Sequence, residues 1–262
     1  MSPARGKGRA VVTGASSGIG EVYARALAAR GYDLLITARR EARLRELAEE
    51  LGAAFKVDVR VEAADLAVEA DRDRLAALIR AMDDITLLVN NAGYGVGGKF
   101  VESDIRKAAG MVVVHDIATI VLCHAVLPGM IARQHGGIIN VSSISAFLKG
   151  TTYSASKAFL NAFSTGLHAE VRRHGIKVQA LCPGYTYSEF HNTPEYADFS
   201  RDQIPRRMWM TAEEVVTFSL AHLGRRPVVI IPGWRNKLLV WSMQLGLRPV
   251  VRALRDFLYR RR

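Results

Sequence analysis

Short apolar runs alternate with amphipathic helical stretches from residue 9 to residue 231, and this alternation limits the fold more than any other feature. Residues 9–13, 33–37, 56–63, 85–90, 137–142, 177–182 and 227–231 read as strands. Helical spacing occupies residues 18–30, 41–51, 72–82, 104–133, 153–174 and 212–223, the fourth with a break near Gly110. Residues 184–210 read as a loop. Strands this uniformly apolar are buried on both faces, and strand–helix–strand alternation closes through right-handed crossovers. The expected fold is α/β: a Rossmann-type doubly wound parallel sheet with helices on both faces, in a single domain. No repeat, low-complexity tract or linker interrupts it before residue 225, so the domain is set at 1–233 and a basic extension at 234–262.

Charge separates the same two parts. The 262 residues are 49% hydrophobic and 23% charged, which excludes a disordered chain. The formal charge is +11, but residues 10–224 sum to −1 while residues 1–9 carry +3 and residues 225–262 carry +9. A nucleic-acid binder would carry its basic face on the body, so nucleic acid is not expected as a partner. Cys123 and Cys182 make no disulfide framework, and no metal-ligand spacing occurs. A reducing, cytoplasmic compartment is expected. Thr13-Gly14 breaks the first apolar run too early for a signal peptide. The apolar stretch 112–132 is broken by His115, Asp116, His124 and Pro128, so no membrane span is expected.

The chemistry-bearing residues fall where strands end. Thr13-Gly14-Ala15-Ser16-Ser17-Gly18-Ile19-Gly20 follows the first strand and opens the first helix. In that setting Gly14 permits a tight turn, Gly18 and Gly20 permit close approach, and the helix N-terminus faces an anion such as a pyrophosphate. Asn90-Asn91-Ala92-Gly93 ends the fourth strand, Ser142-Ser143 the fifth and Pro183-Gly184 the sixth. Ligands sit at this carboxyl edge in open α/β sheets. Tyr153 and Lys157 stand four apart on one helix face. A lysine beside a tyrosine favours phenolate and equips the phenol as a general acid/base for carbonyl and alcohol chemistry.

Taken together, these motifs resemble the short-chain dehydrogenase/reductase family in order and spacing, over about residues 9–232. The resemblance implies an oxidoreductase of the carbonyl reductase or alcohol dehydrogenase type. In it Tyr153 exchanges a proton with the substrate oxygen, Lys157 tunes that phenol and holds the nicotinamide ribose, and Ser143 polarises the substrate oxygen. Ser142 and Ser145 compete for the serine role. The loop from Ser143 to Tyr153 is shorter than is usual in the family. The position of the family's relay asparagine falls on His115, read either as a substitute in the proton relay or as a buried histidine satisfied by a helix carbonyl. For the cofactor, the resemblance implies a site built from Gly14, Ser16, Ser17, Gly18, Ile19 and Gly20. Asp65 and Leu66 match the adenine position, and Asn91, Ala92 and Gly93 the adenosine ribose. Pro183 and Gly184 match the carboxamide position, followed by Ser188. The second strand ends Thr37-Ala38-Arg39-Arg40 without an acid, and Arg39 matches the family position for a 2′-phosphate, so NADP(H) is expected over NAD(H). The family also implies a homodimer or homotetramer. The other reading is a catalytically impaired nucleotide-binding regulatory or scaffold protein on the same fold.

Two regions bear on partners. Tyr185, Tyr187, Phe190, His191, Tyr196, Phe199, Met208 and Trp209 lie in the 184–210 region, and such a lining suits a fairly apolar carbonyl or alcohol substrate. Residues 238–247 are apolar, Gly246 and Pro249 form a break, and residues 250–262 have the pattern of a basic amphipathic helix. This tail suits a peripheral membrane contact, an oligomer interface or a cap on the pocket.

Overall fold

A computed structural model describes residues 7–191 and 200–244. Its strands are β1 (Arg9–Thr13), β2 (Asp33–Ala38), β3 (Val59–Ala63), β4 (Ile85–Asn90), β5 (Gly136–Val141), β6 (Ile176–Leu181) and β7 (Val229–Ile230). They form one parallel sheet in the order β3-β2-β1-β4-β5-β6-β7. The order reverses between β1 and β4, which opens the crevice where such folds bind nucleotides. The expected doubly wound architecture is what the chain adopts.

Period-two alternation along the strands serves two cores. Val12, Ile36, Val89 and Ile139 face Tyr23 and Leu27 of α1 (Gly18–Ala28), Leu44 and Leu51 of α2 (Glu41–Phe55), and Val215 of α7 (Ala212–His222). Their neighbours Val11, Leu35, Leu88 and Ile138 face the other way. These pack on Leu75 of α3 (Glu69–Arg80), Leu122 of α5 (Ala118–Ala132) and Leu167 of α6 (Thr152–Val171). Burial on both faces is why the strands lack polar alternation.

Two helices depart from the sequence expectation. α2 runs through Gly52 to Phe55, and Lys56 takes the left-handed conformation with its N–H on the Gly52 carbonyl. Gly52 is therefore inside the helix rather than after it, and β3 begins at Val59. The expected break near Gly110 is absent. Instead α4 (Ile105–Val112) passes into a π-helical turn, Val113–Ile117, and then into α5. The turn closes with the Ala118 N–H on the Val113 carbonyl and brings the adjacent His115 and Asp116 into the interior together. The run Ile105–Ala132 is long and apolar enough to cross a bilayer, but Leu122, Val126 and Met130 fix it in the core.

α8 (Trp234–Gln244) starts where the extension begins. It docks through Asn236 and Val240, both buried. The stretch 250–262 lies outside the described residues.

Candidate active site

The Gly-rich turn is shaped to meet an anion. A Cβ on Gly20 would overlap the Gly14 carbonyl, and one on Gly14 would lie 2.8 Å from the Ala92 Cα, so both positions exclude a side chain. Ser17 stands at the N-cap of α1 with no side-chain hydrogen bond to the helix. The first N–H groups of α1, including that of Ile19, thus have no capping side chain, the condition under which a helix N-terminus binds phosphate. Asn91 Nδ2 donates to the Thr13 carbonyl (3.0 Å), while the Asn91 and Ala92 N–H groups donate to Thr13 Oγ1 (both 2.9 Å). The 90–93 segment is fastened to the turn by these bonds.

The other expected cofactor residues surround this turn. Asp65 follows β3 and accepts the Ala67 N–H, while Leu66 is buried in the core. Arg39 is exposed just past β2. Its neighbour Arg40, which sequence reasoning gave no role, folds back over the turn. Its Nε donates to Ser16 Oγ, an Nη to the Ser16 carbonyl (both 3.1 Å), and the other Nη pairs with Glu189 at 3.0 Å. Ser188 lies against the turn, 3.1 Å from where a Gly18 Cβ would stand. The Pro183 carbonyl accepts the Ile144 N–H, and Gly184 packs on Asn236.

At the carboxyl end of β5 the serines divide their work. Ser142 is buried, and its hydroxyl donates to the Lys157 carbonyl at 2.8 Å, tying β5 to α6. Ser143 Oγ accepts the Ser145 N–H at 3.1 Å and caps the 3₁₀ turn Ile144–Phe147. That bond uses a lone pair and leaves the Ser143 O–H proton to donate elsewhere. Of the competing serines, Ser143 alone pairs partial exposure with that arrangement at the strand end.

α6 carries Tyr153 and Lys157 one turn apart, and Lys157 Nζ stands 5.8 Å from the Tyr153 ring centroid. Nζ is buried and donates to the Val141 carbonyl at 3.0 Å. Burial pulls its pKa down to about 8, while Asp116 and Cys182 act to raise it. Tyr153 faces an open cleft whose walls include Val96, Phe100, Ala108 and Met111 together with Ser103, Thr151 and Thr152. The Phe190 ring stands 6.0 Å from the Tyr153 ring. Tyr185 and Tyr187 pack on Trp209 instead. The described lining therefore comes mostly from residues 96–111, which sequence reasoning passed over. Tyr196 and Phe199 lie outside the described residues.

His115 is 1% exposed. Its Nε2 accepts the Tyr94 N–H at 3.2 Å, which assigns the ring proton to Nδ1, and Nδ1–H donates to Ser156 Oγ at 2.9 Å. The Ser156 hydroxyl in turn donates to the Tyr153 carbonyl at 3.0 Å. Burial first, and the Lys157 charge second, hold the imidazole pKa well below its ordinary value, so the ring is neutral. Its partners are thus not a helix carbonyl, and both ring nitrogens are engaged. Gly93 makes room for it, since a Cβ there would be 2.6 Å from Nε2.

Asp116, beside it in the π turn, was not singled out from sequence. It is 7% exposed, its Oδ1 has no hydrogen-bond partner among the described residues, and burial pushes its pKa up to about 7 against the pull of Lys157. Among the described residues, no group of three His, Cys, Asp or Glu side chains is placed to hold a metal.

A profile of the short chain dehydrogenase family matches residues 9–196. The chain belongs to that family. This short-chain dehydrogenase is similar to a very-long-chain 3-oxoacyl-CoA reductase of Phaeosphaeria nodorum, 30% identical over 92% of this chain and 73% of that one. Matches to other reductases of the same description cover 53–62% of their lengths. Among solved structures it is similar to a short-chain dehydrogenase from Sphingobium yanoikuyae in complex with NADPH (TM-score 0.82, 32% identity, 95% of both chains). It is also similar to a bulky-bulky ketone specific alcohol dehydrogenase from Comamonas testosteroni (TM-score 0.77, 31% identity, 92% of this chain and 93% of that one). The short-chain dehydrogenase is an NAD(P)-dependent oxidoreductase for carbonyl and alcohol groups.

Proposed function

We propose that this enzyme uses NADP(H) to interconvert a fairly apolar ketone and its secondary alcohol, with Tyr153 as general acid/base. The observation that carries the reading is the placement of Tyr153 beside a buried lysine, on a cleft walled by Val96, Phe100 and Met111. The side-chain-free Gly14–Gly20 turn and uncapped α1 fit a pyrophosphate, and Arg39 and Arg40 fit an adenosine 2′-phosphate. When bound, the nicotinamide supplies or accepts the hydride.

The chain's own groups handle the oxygen. The Ser143 O–H donates to the substrate oxygen and polarises it. The Tyr153 phenol delivers its proton to that oxygen as negative charge develops, and takes one from the alcohol in the reverse direction. Lys157 keeps a cation beside the phenol and faces the ribose. His115 locks Ser156, and through it the Tyr153 backbone, so it acts as a positioning residue. A fairly apolar substrate is supported by Val96, Phe100 and Met111, in a cleft that also presents Ser103, Thr151, Thr152 and Ser154, and by the ketone and long-acyl relatives. Exposed Ile117, Ile120 and Phe159 on the adjoining helices support pairing of two copies there.

The test is NADPH consumption over a panel of aliphatic, aromatic and polycyclic ketones. Turnover is expected with NADPH well above NADH, and Tyr153→Phe is expected to lower it by about 10²–10⁴-fold. Undiminished activity in Tyr153→Phe would remove the proposed acid. Equal kcat/KM with both cofactors would remove the 2′-phosphate assignment. Tight NADPH binding with no turnover of any ketone would favour the binding-protein reading.

A further inference from the structure

Among the described residues, α8 leaves an apolar face uncovered. Trp234, Leu238 and Trp241 are 66%, 46% and 57% exposed. Their spacing sets them on one stripe, opposite the buried Asn236 and Val240 that dock the helix. Arg235 and Lys237 fall on the two flanks of the stripe. The Arg235 guanidinium lies 4.7 Å from the Trp234 ring centroid, and Lys237 Nζ 5.4 Å from that of Phe218. α8 contains no acid. Leu245 continues the four-residue spacing in the sequence, and residues 245–262 add six arginines against the single Asp256.

We propose that the outer face of α8 docks on an anionic lipid bilayer. Indole rings favour the headgroup region, where an apolar body and an N–H are both satisfied. Flanking cations add attraction to anionic lipid, about 1 kcal/mol for each one near the surface. Charge argues against the other occupants. A second α8 pairing with the first would bring two sets of cations together. Residues 245–262 folded over the stripe would do the same, because that segment is itself basic. An anionic surface is the partner whose charge complements all of these groups.

The placement ties docking to catalysis. α8 begins where Asn236 packs on Gly184, and it touches the 144–147 turn that follows Ser143. The stripe thus belongs to an element abutting the site wall, so a docked enzyme would hold its active edge near the lipid in which apolar ketones partition. The docking claim rests on the α8 surface alone and stands whether or not the ketone assignment does.

The test is co-sedimentation of the full-length protein with phosphatidylserine-containing vesicles and with pure phosphatidylcholine vesicles. The wild type is expected to pellet with the first and not the second, to dissociate in high salt, and to blue-shift its tryptophan emission on binding. Trp234→Ser/Leu238→Ser/Trp241→Ser is expected to lose at least about tenfold in partition while keeping its melting temperature. If the triple variant melts early, Trp241→Ser alone serves, with a smaller loss expected. Wild-type protein left in the supernatant, or equal binding by the variants, overturns the proposal. So does a triple variant that turns a dimer into a monomer with vesicle binding unchanged, because a second copy would then cover the stripe.

Discussion

Replacing Asp116 by Asn should change catalysis only on the alkaline side. Asp116 Oδ1 makes no hydrogen bond among the described residues, so its coupling to Lys157 acts through space. Below a pH of about 7 the carboxyl is protonated and resembles the amide of asparagine. Above it, the carboxylate helps Lys157 hold a proton that it loses near pH 8. An opposite charge acting through space at an effective protein dielectric of about 20 shifts a titration by about one pH unit. The alkaline limb of kcat/KM for ketone reduction is therefore expected to fall through about pH 8 in the wild type and about one unit lower in Asp116→Asn. The two should coincide near pH 6. Stability supplies an independent reading. The folded-state pKa of Asp116 is raised from 3.8 to about 7, so the folded protein keeps a proton that the unfolded chain has lost. Wild-type stability contributed by this group is full below about 4 and is lost as pH rises through 7. The full rise corresponds to about 4 kcal/mol, and halving it for residual solvent access leaves about 2 kcal/mol. Asp116→Asn should therefore be more stable than wild type at pH 8.5 and equal to it at pH 4 in urea titrations. Identical alkaline limbs, or a loss of rate uniform across pH, would refute the coupling to Lys157.

Gly93→Ala places a methyl group 2.6 Å from His115 Nε2, within a ring held on both sides, and should cost about 1–3 kcal/mol by urea titration. Arg40→Ala removes the guanidinium that spans Ser16 and Glu189, and should raise KM for NADPH about tenfold with little change for NADH. An equal effect on both cofactors would assign Arg40 to the turn rather than to the 2′-phosphate. Ser143→Ala should lower kcat by about 10²-fold or more, whereas Ser142→Ala should chiefly lower the melting temperature, because its hydroxyl is committed to the Lys157 carbonyl.

What could be read in the sequence was set by local physics. β1, β2 and β4–β6 are runs buried on both faces, so their apolar character does not depend on which neighbours they find. The Gly14–Gly20 turn was legible because no other residue type fits there. The misses come from contacts distant in the chain. Gly52 looks like a helix stop, yet the left-handed cap was taken by Lys56. Asp116 counted only as an interruption of an apolar stretch, and His115 drew notice only through the family resemblance. Inside the π turn the His115 ring is held by Ser156, 41 residues away, and by Tyr94, 21 residues away. Arg40 stands next to Arg39 in the sequence, and its fold-back onto Ser16 is a contact 24 residues away along the chain.

The same contrast bears on how the site works. The residues legible in sequence are those to which the proposed function gives ligand contact, where one chemical type is required. The residues that were not legible set charge and position from behind, where several side chains would satisfy the fold. Asparagine in place of Asp116 would fill the same space and leave no buried carboxylate. That the chain carries an acid there, electrostatically coupled to the buried Lys157, makes the charge itself the property that the alkaline limb should report.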